Sequence, residues 1–449
     1  MVSGLLIAGA FLLVGVSATA DSGASIPIAT AGPGAVAVGP GSVVCNGRTV
    51  AIAAPVTLPI APSPIEHIAN EQHPTVRVFD PNTGGWRKGE RLQRLITQEC
   101  SATGLLYPES VRIKPAPDSP DAYVRGTDFE MDEFWGTFGR LDGGAIAADQ
   151  AVFVDYDYSP CRLDTIAVGT DGGVRLVAGT PGVGVLLPPE LGDGEVAVAN
   201  IWVPGRTESL TEENLYPIEF GAPAAPPADT GTAETLLPKT LAKLRAGEEV
   251  TIVAWGDSVT NGGGVDRAEH WYQERFAALL RERFPQATVT MLTASWPGGN
   301  SRMYLDAPPE DERNFARDVL EPRPDLVTIE FVNDAGLSEE ATQIHYAGIL
   351  ERLQGIEAEA ILITPHFVRP DWMRVSTMKL DADPRPYVHG LRRFAAENHV
   401  ALADASAQWC RLWRQGIPYI TLEGNSINHP DVRGHEIFAQ CLIGLFPKE

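Results

Sequence analysis

The sequence predicts an α/β protein in which an all-β, sandwich-like N-terminal domain precedes a three-layer α/β/α C-terminal domain with a parallel sheet. Residues 42–218 contain short β-type runs, such as 151–156 and 196–203, separated by turn signals such as TDGG and LGDG, and show little helical periodicity. From residue 234 onwards, apolar runs alternate with amphipathic stretches. This alternation is typical of a parallel sheet covered by helices on both faces.

The N-terminal strands are predicted where β-branched and aromatic residues form runs that end at turn-forming residues, at 49–52, 75–79, 151–156, 173–178 and 196–203. The segment 129–139, FEMDEFWGTFG, is both aromatic and acidic. We predict that it forms a strand and a turn that pack on the sheet. An exposed surface on which sugars stack is the alternative.

The C-terminal elements follow from runs of apolar residues that end in polar or Gly-rich turns and from helical spacing between them. In helix 338–355, for example, Tyr346, Ile349, Leu350 and Leu353 are spaced i, i+3, i+4 and i+7 and share one face. The predicted strands are 250–255, 288–293, 326–332, 360–364 and 400–403, and the predicted helices are 235–246, 269–284, 338–355, 386–398 and 432–445.

The two ends of the N-terminal part differ from its middle. Residues 1–20 have an apolar core and end in Ala18-Thr19-Ala20, which predicts a cleavable signal peptide and a secreted protein. An uncleaved anchor is the alternative, because no Lys or Arg precedes the apolar core. Residues 21–41 are predicted to be a flexible lead, 42–218 a β-rich accessory domain, 219–233 a Pro/Ala/Gly-rich linker and 234–449 the α/β/α domain.

The composition excludes several classes of partner. The chain has 35 Lys and Arg against 58 Asp and Glu, a net charge of −23, which argues against nucleic acids and anionic membrane surfaces. Its five cysteines form no zinc-binding spacing and no disulfide framework, so neither a metal nor a cofactor is predicted. Cys410 and Cys441 could pair in an oxidising compartment, and buried free thiols are the alternative.

The stretch 250–264, VTIVAWGDSVTNGGG, carries the first candidate catalytic residue. Its apolar run predicts a buried strand that ends at Gly256 and leaves Ser258 at the carboxyl edge of the sheet. Open α/β sheets bind their ligands at this edge. A serine there is a nucleophile if a base reaches its hydroxyl and hydrogen-bond donors face the developing oxyanion.

Three later strand ends are expected at the same edge. The second strand is followed by Gly298-Gly299-Asn300, the third by Asn333-Asp334, and His429 precedes the last helix in INHPDVRGHEIFA. In order and spacing, these stretches resemble the sequence blocks of the SGNH hydrolase superfamily, the GDSL-type esterases and lipases, over about residues 245–446. The resemblance implies that Ser258 is the nucleophile and His429 the general base. It implies oxyanion donors at the Ser258 and Gly299 backbone N–H groups and the Asn333 side chain.

One position departs from the family pattern. The family usually has an Asp three residues before the histidine, where this chain has Ser426. We therefore predict a Ser258–His429 dyad oriented by a backbone carbonyl, with Glu423 as the alternative orienting acid. Asp431 fits a role at the N-terminus of the last helix. Asp257, His366 and Trp296 are candidate residues of the substrate pocket.

These residues imply a secreted serine esterase that needs no metal or cofactor. The favoured substrate is a small acyl ester, an O-acetyl group, on a carbohydrate, and the partners are acylated small molecules or polysaccharides rather than nucleic acid or a membrane. The alternatives are a hydrolase of lipids or other carboxylic esters, and a non-catalytic carbohydrate-binding protein with a decayed site. The oligomeric state is not predicted.

Overall fold

The computed structural model describes residues 25–220 and 231–448. The predicted signal peptide and most of the predicted linker lie outside these residues. The predicted lead at 21–41 is corrected in its described portion. Residues 28–30 and 35–38 form paired strands there, and the side chains of Ile26, Val36 and Val38 are buried in the N-terminal core.

The N-terminal part consists mostly of antiparallel strands, as predicted. Its strands, all paired antiparallel within the described residues, are β1 (Ile28–Thr30), β2 (Ala35–Val38), β3 (Gly41–Cys45), β4 (Arg48–Ile52), β5 (Val56–Pro59), β6 (Glu66–His73), β7 (Glu90–Arg91), β8 (Ile96–Thr97), β9 (Cys100–Ser101), β10 (Leu106–Lys114), β11 (Phe129–Asp132), β12 (Thr137–Arg140), β13 (Val152–Tyr158), β14 (Arg162–Val168), β15 (Val174–Val177), β16 (Val196–Val203) and β17 (Leu215–Pro217). They form several small sheets rather than one continuous sheet.

Two N-terminal predictions change in detail. The segment 75–79 is not a strand, and Val78 makes only an isolated bridge to Arg140. The aromatic segment 129–139 forms the β11–β12 hairpin, in which Phe129 and Phe138 are buried and Phe134 is exposed. Core packing therefore accounts for most of this segment.

The C-terminal part is a three-layer α/β/α domain, as predicted. Its elements are α1 (Thr232–Leu236), α2 (Pro238–Ala246), β18 (Glu249–Gly256), α3 (Tyr272–Arg283), β19 (Thr288–Ser295), α4 (Ser301–Asp306), β20 (Leu326–Glu330), α5 (Glu339–Gln354), β21 (Glu359–Ile363), α6 (Pro386–Asn398), β22 (Ala401–Ala403), α7 (Ala405–Trp409) and α8 (Val432–Ile443). In the described residues, the strands pair in parallel in the order β19-β18-β20-β21-β22.

Both faces of this sheet are buried. Along β18, Val250 and Ile252 belong to one buried cluster, with residues of α2, α3 and α8, whereas Val253 and Trp255 belong to another, with residues of α5 and α6. This alternation is the physical basis of the near-continuous apolar strand in the sequence, because neighbouring side chains point to opposite faces and each face is covered by helices.

The first predicted helix of this domain is interrupted. Residues 235–246 were expected to form one helix, but α1 ends at Leu236 and α2 begins at Pro238. Leu237 between them has φ −132° and ψ 41°, outside the helical region. Proline lacks an N–H and restricts the residue before it, so it begins a new helix here rather than continuing the old one.

The two parts of the chain pack directly against each other. The Asn200 side chain in β16 donates to the Gly416 carbonyl oxygen over 2.7 Å. The Leu186 N–H donates to the Thr421 carbonyl oxygen over 3.2 Å, and the Arg433 guanidinium donates to the Leu186 carbonyl oxygen over 3.2 Å. Backbone and side-chain groups of both parts are therefore satisfied across this interface.

The described residues contain no helix that is both long and apolar enough to cross a membrane. They also include no group of three or more His, Cys, Asp or Glu side chains placed to hold a metal ion. All five cysteines are free thiols, so the suggested Cys410–Cys441 disulfide is not formed. Burial raises the pKa of the Cys410 thiol to about 12, which makes it an unreactive core residue.

Candidate active site

The candidate nucleophile lies in the turn that follows β18. This strand ends at Gly256, where a Cβ would lie 2.0 Å from the Thr260 hydroxyl oxygen and 2.4 Å from the Glu330 carbonyl oxygen. Only glycine fits such a close approach of chains, so the turn can bend sharply toward Ser258. The Ser258 side chain is mostly shielded from solvent, and its Oγ lies 3.0 Å from Nε2 of His429. The structure thus brings together the two residues that the sequence paired.

His429 is held by a tight loop immediately before α8. The side-chain oxygen of Asn425 accepts the backbone N–H groups of Ile427, Asn428 and His429, over 3.0, 2.8 and 3.0 Å. An Asn side chain that accepts successive N–H groups fixes the course of a loop in the way a backbone turn does. The position of the imidazole is therefore determined by Asn425, a residue that is almost fully buried.

Asp431 has the helix-terminal role that the sequence predicted. Its side chain accepts the backbone N–H groups of Arg433 and Gly434, over 2.9 and 3.2 Å, at the first turn of α8. A carboxylate at this position satisfies N–H groups that have no partner within the helix. It fixes the start of α8 directly after His429 and is not in contact with the imidazole.

A carboxylate from the N-terminal part contacts the other side of the imidazole. Oε1 of Glu99 lies 3.1 Å from Nδ1 of His429 and accepts the side-chain amide of Asn425 over 2.9 Å. Partial burial raises the pKa of Glu99, but the hydrogen bond and charge of His429 and the hydrogen bond of Asn425 lower it further, to about 2. Glu99 is therefore ionised at neutral pH and can only accept a hydrogen bond.

This contact favours one tautomer of His429. An ionised carboxylate accepts but does not donate, so a carboxylate oxygen 3.1 Å from Nδ1 favours the form in which Nδ1 carries the proton. Nε2 is then free to accept the proton of the Ser258 hydroxyl, 3.0 Å away. This is the arrangement that general-base activation of a serine needs.

Glu423, the acid that the sequence suggested, does not have this role. Its carboxyl group is completely buried, and neither oxygen has a hydrogen-bond partner among the described residues. The nearest imidazole is that of His366, at 4.0 Å, rather than that of His429. Burial raises the pKa of Glu423 well above its usual value. The predicted backbone-carbonyl orienter is also incorrect, since Nδ1 of His429 faces a carboxylate.

Glu99 could not be found from the sequence. It lies in QECSAT, a polar stretch with no motif, and far along the chain from every block that carries the resemblance. Glu99 lies in the two-residue turn of the β8–β9 hairpin. Only the tertiary structure places this turn beside His429. The one signal in the sequence was Ser426, which stands where the family usually has an Asp and so leaves the acid to another part of the chain.

The predicted oxyanion donors differ in their availability. The Ser258 N–H has no acceptor among the described residues. The Asn333 side chain is exposed to solvent, and its amide donates to the Gly299 carbonyl oxygen over 3.0 Å, which leaves its second N–H free. The Gly299 N–H, by contrast, closes a turn on the Trp296 carbonyl oxygen at 2.8 Å. An oxyanion would have to share that N–H with the turn, and the oxyanion role of Gly299 stays a prediction.

Asp257 and His366 do not line a substrate pocket, because both are fully buried. Asp257 accepts the backbone N–H groups of Val259 and Asn333, over 3.1 and 3.0 Å, and so ties the nucleophile turn to the oxyanion turn. Burial raises its pKa to about 7. His366 hydrogen-bonds through Nε2 to the Asn428 carbonyl oxygen over 2.8 Å and supports the loop that carries His429.

Trp296 remains the one pocket candidate of the three that is not fully buried. Its ring packs edge-on against Tyr304, with centroids 5.8 Å apart, and the Arg313 guanidinium lies 5.8 Å from the ring centroid. It is in the same turn as Gly299, so it borders the oxyanion side of the site. A pocket role for Trp296 stays a prediction.

The glycine run after the nucleophile has a role that the sequence reasoning did not assign. A Cβ on Gly263 would lie 3.0 Å from both Cγ and Cδ2 of His429, and a Cβ on Gly264 would lie 2.2 Å from the Pro430 carbonyl oxygen. The Gly263 carbonyl oxygen accepts Nε2 of His435 over 3.1 Å. The glycines therefore let the nucleophile turn approach the His429 loop closely, and His435 packs there as a structural residue.

Comparisons with known proteins place this site in a family. Residues 254–437 match the model of the GDSL-like lipase/acylhydrolase family. Similar solved structures include a two-domain esterase active on acetylated mannans, at 20% identity and a TM-score of 0.38 over 47% of this chain and 52% of that chain. An acetylxylan esterase from Geobacillus stearothermophilus is similar at 19% identity and a TM-score of 0.34, over 44% of this chain and 95% of that chain. This chain thus spans about half the length of the first of these. No curated protein matches it in sequence.

Proposed function

The chain carries a GDSL-like lipase/acylhydrolase domain at residues 254–437, an ester-hydrolase domain, and we propose that it is a serine esterase in which Ser258 forms the acyl-enzyme. The observation that carries the proposal is the 3.0 Å distance between Ser258 Oγ and His429 Nε2, with a carboxylate oxygen 3.1 Å from Nδ1 on the other side of the ring. This geometry supports the serine as the nucleophile and the histidine as its base.

In the proposed reaction, Ser258 Oγ attacks the acyl carbonyl carbon while its proton passes to Nε2 of His429. The negative charge on the carbonyl oxygen faces the Ser258 N–H and the free N–H of Asn333. Collapse of this intermediate breaks the ester bond, and His429 gives its proton to the departing alcohol. Water then attacks the acyl-enzyme by the same route and releases the acid and free Ser258.

We propose that the substrate is an O-acetyl ester of a carbohydrate. We also propose that this protein is exported. Support comes from an aromatic surface beside the site. Trp372 is 47% exposed and stacks on Trp86, with centroids 6.3 Å apart. Trp86 packs on a buried cluster of Cys100, Trp135 and Ile427, which includes neighbours of Glu99 and His429 along the chain. Flat aromatic rings can pack on the C–H face of a sugar while its hydroxyl groups stay in water.

The nucleophile is tested by Ser258→Ala, with hydrolysis of p-nitrophenyl acetate as the measurement. We expect kcat to fall by about a thousandfold or more, because the covalent route is lost. Ser209→Ala, at an exposed serine of the N-terminal part, is the control and should leave kcat unchanged. If Ser258→Ala keeps more than about a tenth of the kcat, Ser258 is not the nucleophile, and the non-catalytic alternative gains support.

The substrate class is tested by Trp372→Ala. We expect KM for an acetylated oligosaccharide to rise by about fivefold or more, with acetate release as the measurement, while kcat/KM for p-nitrophenyl acetate stays within about twofold. The small ester does not reach the aromatic surface and so provides the internal control. Equal effects on both substrates would refute a sugar-binding role for this surface.

A further inference from the structure

The loop that carries His429 contains no carboxylate in contact with the imidazole. Within residues 423–431, all of which the structure describes, Glu423 faces His366 and Asp431 caps α8. Ser426, at the position of the usual family acid, has φ +59° and donates from its hydroxyl to the Val183 carbonyl oxygen over 3.2 Å. The side chain at 426 is therefore turned toward the N-terminal part and away from His429.

The β8–β9 hairpin fills this place. Its strands pair Ile96 with Ser101 and Thr97 with Cys100, which leaves Gln98 and Glu99 as a two-residue turn. So short a turn holds its residues in a fixed conformation, and Gln98 adopts φ +53° within it. The turn therefore places Glu99 at the tip of a short, paired hairpin.

Three contacts hold the tip against the histidine loop. The Thr97 hydroxyl donates to the Gly424 carbonyl oxygen. The Glu99 carboxylate accepts the amide of Asn425, the residue that fixes the His429 loop, over 2.9 Å. Cys100 is buried with Ile427 in one small apolar cluster. A backbone acceptor, a side-chain amide and an apolar contact therefore fix the hairpin against the loop on both sides of Glu99.

From this geometry we propose that Glu99 is a positioning residue, so that the N-terminal β-rich part completes a Ser258–His429–Glu99 triad. The proposal rests on the serine-esterase function proposed above. Glu99 accepts the Nδ1–H of His429 throughout the reaction and takes up no proton. It holds the tautomer in which Nε2 faces Ser258, and it stabilises the imidazolium that forms when the serine proton is taken.

Two conservative substitutions of Glu99 test this role. Glu99→Gln keeps the length of the side chain and removes its charge, and Glu99→Asp keeps the charge on a shorter side chain. The control is Glu109→Gln, which removes an exposed carboxylate from β10. The full-length chain is used throughout, with p-nitrophenyl acetate as substrate and the thermal unfolding midpoint measured for each variant.

We expect Glu99→Gln to lower kcat by tenfold or more with KM within about threefold, because the amide can stabilise the wrong imidazole tautomer. Glu99→Asp should retain more kcat than Glu99→Gln, and Glu109→Gln should match the unaltered chain.

Other outcomes overturn the proposal. A loss of kcat below tenfold in Glu99→Gln means that no carboxylate is needed at this position. A larger loss in which Glu99→Asp is no better than Glu99→Gln means that the hairpin only supports the loop. Ser258→Ala separates these failures from that of the function itself: if that variant is inactive while Glu99→Gln is fully active, the serine esterase stands and this inference falls.

Discussion

Oε1 of Glu99 lies 3.1 Å from Nδ1 of His429, although the two residues come from different parts of the chain. The C-terminal domain supplies the proposed nucleophile, the proposed base and the proposed amide donor for the oxyanion, but a carboxylate from the β-rich part faces the proposed base. The sequence reasoning treated residues 42–218 as an accessory domain. The contact predicts instead that catalysis depends on how residues 42–218 dock on the C-terminal domain.

Thr97→Val tests the docking of the hairpin without altering Glu99. The substitution keeps the shape of the side chain and removes the hydroxyl that donates to the Gly424 carbonyl oxygen. We expect kcat to fall by about threefold to tenfold and the thermal unfolding midpoint to drop, because a buried carbonyl loses its donor. Thr97→Ser, which keeps the hydroxyl, is the matched control. An unchanged kcat in Thr97→Val would show that this contact does not hold the tip in place.

Asn333→Ala tests the oxyanion donor on the C-terminal side. The backbone N–H of Asn333 keeps its bond to Asp257, so the turn should survive the loss of the side chain. We expect kcat to fall by about 10²–10³-fold with little change in KM, which is the usual cost of losing one such donor. Steady-state kinetics of p-nitrophenyl acetate hydrolysis measure this split. A rise in KM with unchanged kcat would assign Asn333 to ground-state binding instead.

Gly263→Ala tests the close approach between the nucleophile turn and the histidine. The new Cβ would lie 3.0 Å from two ring atoms of His429 and 2.9 Å from the Ser258 carbonyl oxygen, so the imidazole or the turn must shift. We expect a loss of kcat of about tenfold or more, because small displacements of a base are costly. Gly336→Ala, where a Cβ meets nothing within 4 Å, is the control. Equal activities of the two variants would contradict this role.

Glu423→Gln separates the buried acid from the proposed positioning acid. We expect kcat within about threefold of the unaltered chain, since the Glu423 carboxyl group does not contact His429. The folded state raises the pKa of Glu423 well above its usual value. The folded state therefore favours the protonated, neutral form of Glu423. The stability that this preference contributes is complete below the unfolded-state pKa of Glu423 and is lost as pH rises through its folded-state pKa.

Because the pKa of Glu423 is raised in the folded state, the stability of the protein should depend on pH. Between about pH 5 and pH 8, the free energy of unfolding should fall more in the unaltered chain than in Glu423→Gln, whose amide does not ionise. Denaturant unfolding at both pH values measures the difference. A larger fall in the variant, or a kcat reduced as much as in Glu99→Gln, would show that Glu423 is ionised and functional.

The sequence by itself determined the C-terminal fold and two of the site residues that the structure brings together. Near-continuous apolar strands, each followed by a helix, specify a parallel sheet buried on both faces. The carboxyl ends of its strands must then share one edge. The shared edge predicts that the turns of Ser258 and Asn333 lie close together, and the resemblance to the SGNH hydrolases adds the roles of the two residues. The helix after His429 was equally clear, because its cap and apolar face are local features of the sequence.

Only the tertiary structure decided which carboxylate faces His429. Glu423 and Asp431 are near in sequence, but one is buried against His366 and the other is committed to α8. Glu99 belongs to a hairpin whose partner is the histidine loop, and no local propensity or spacing encodes a contact between two docked parts of a chain. Hydrogen-bond partners that lie far apart in sequence are set by packing, and packing is a property of the whole fold.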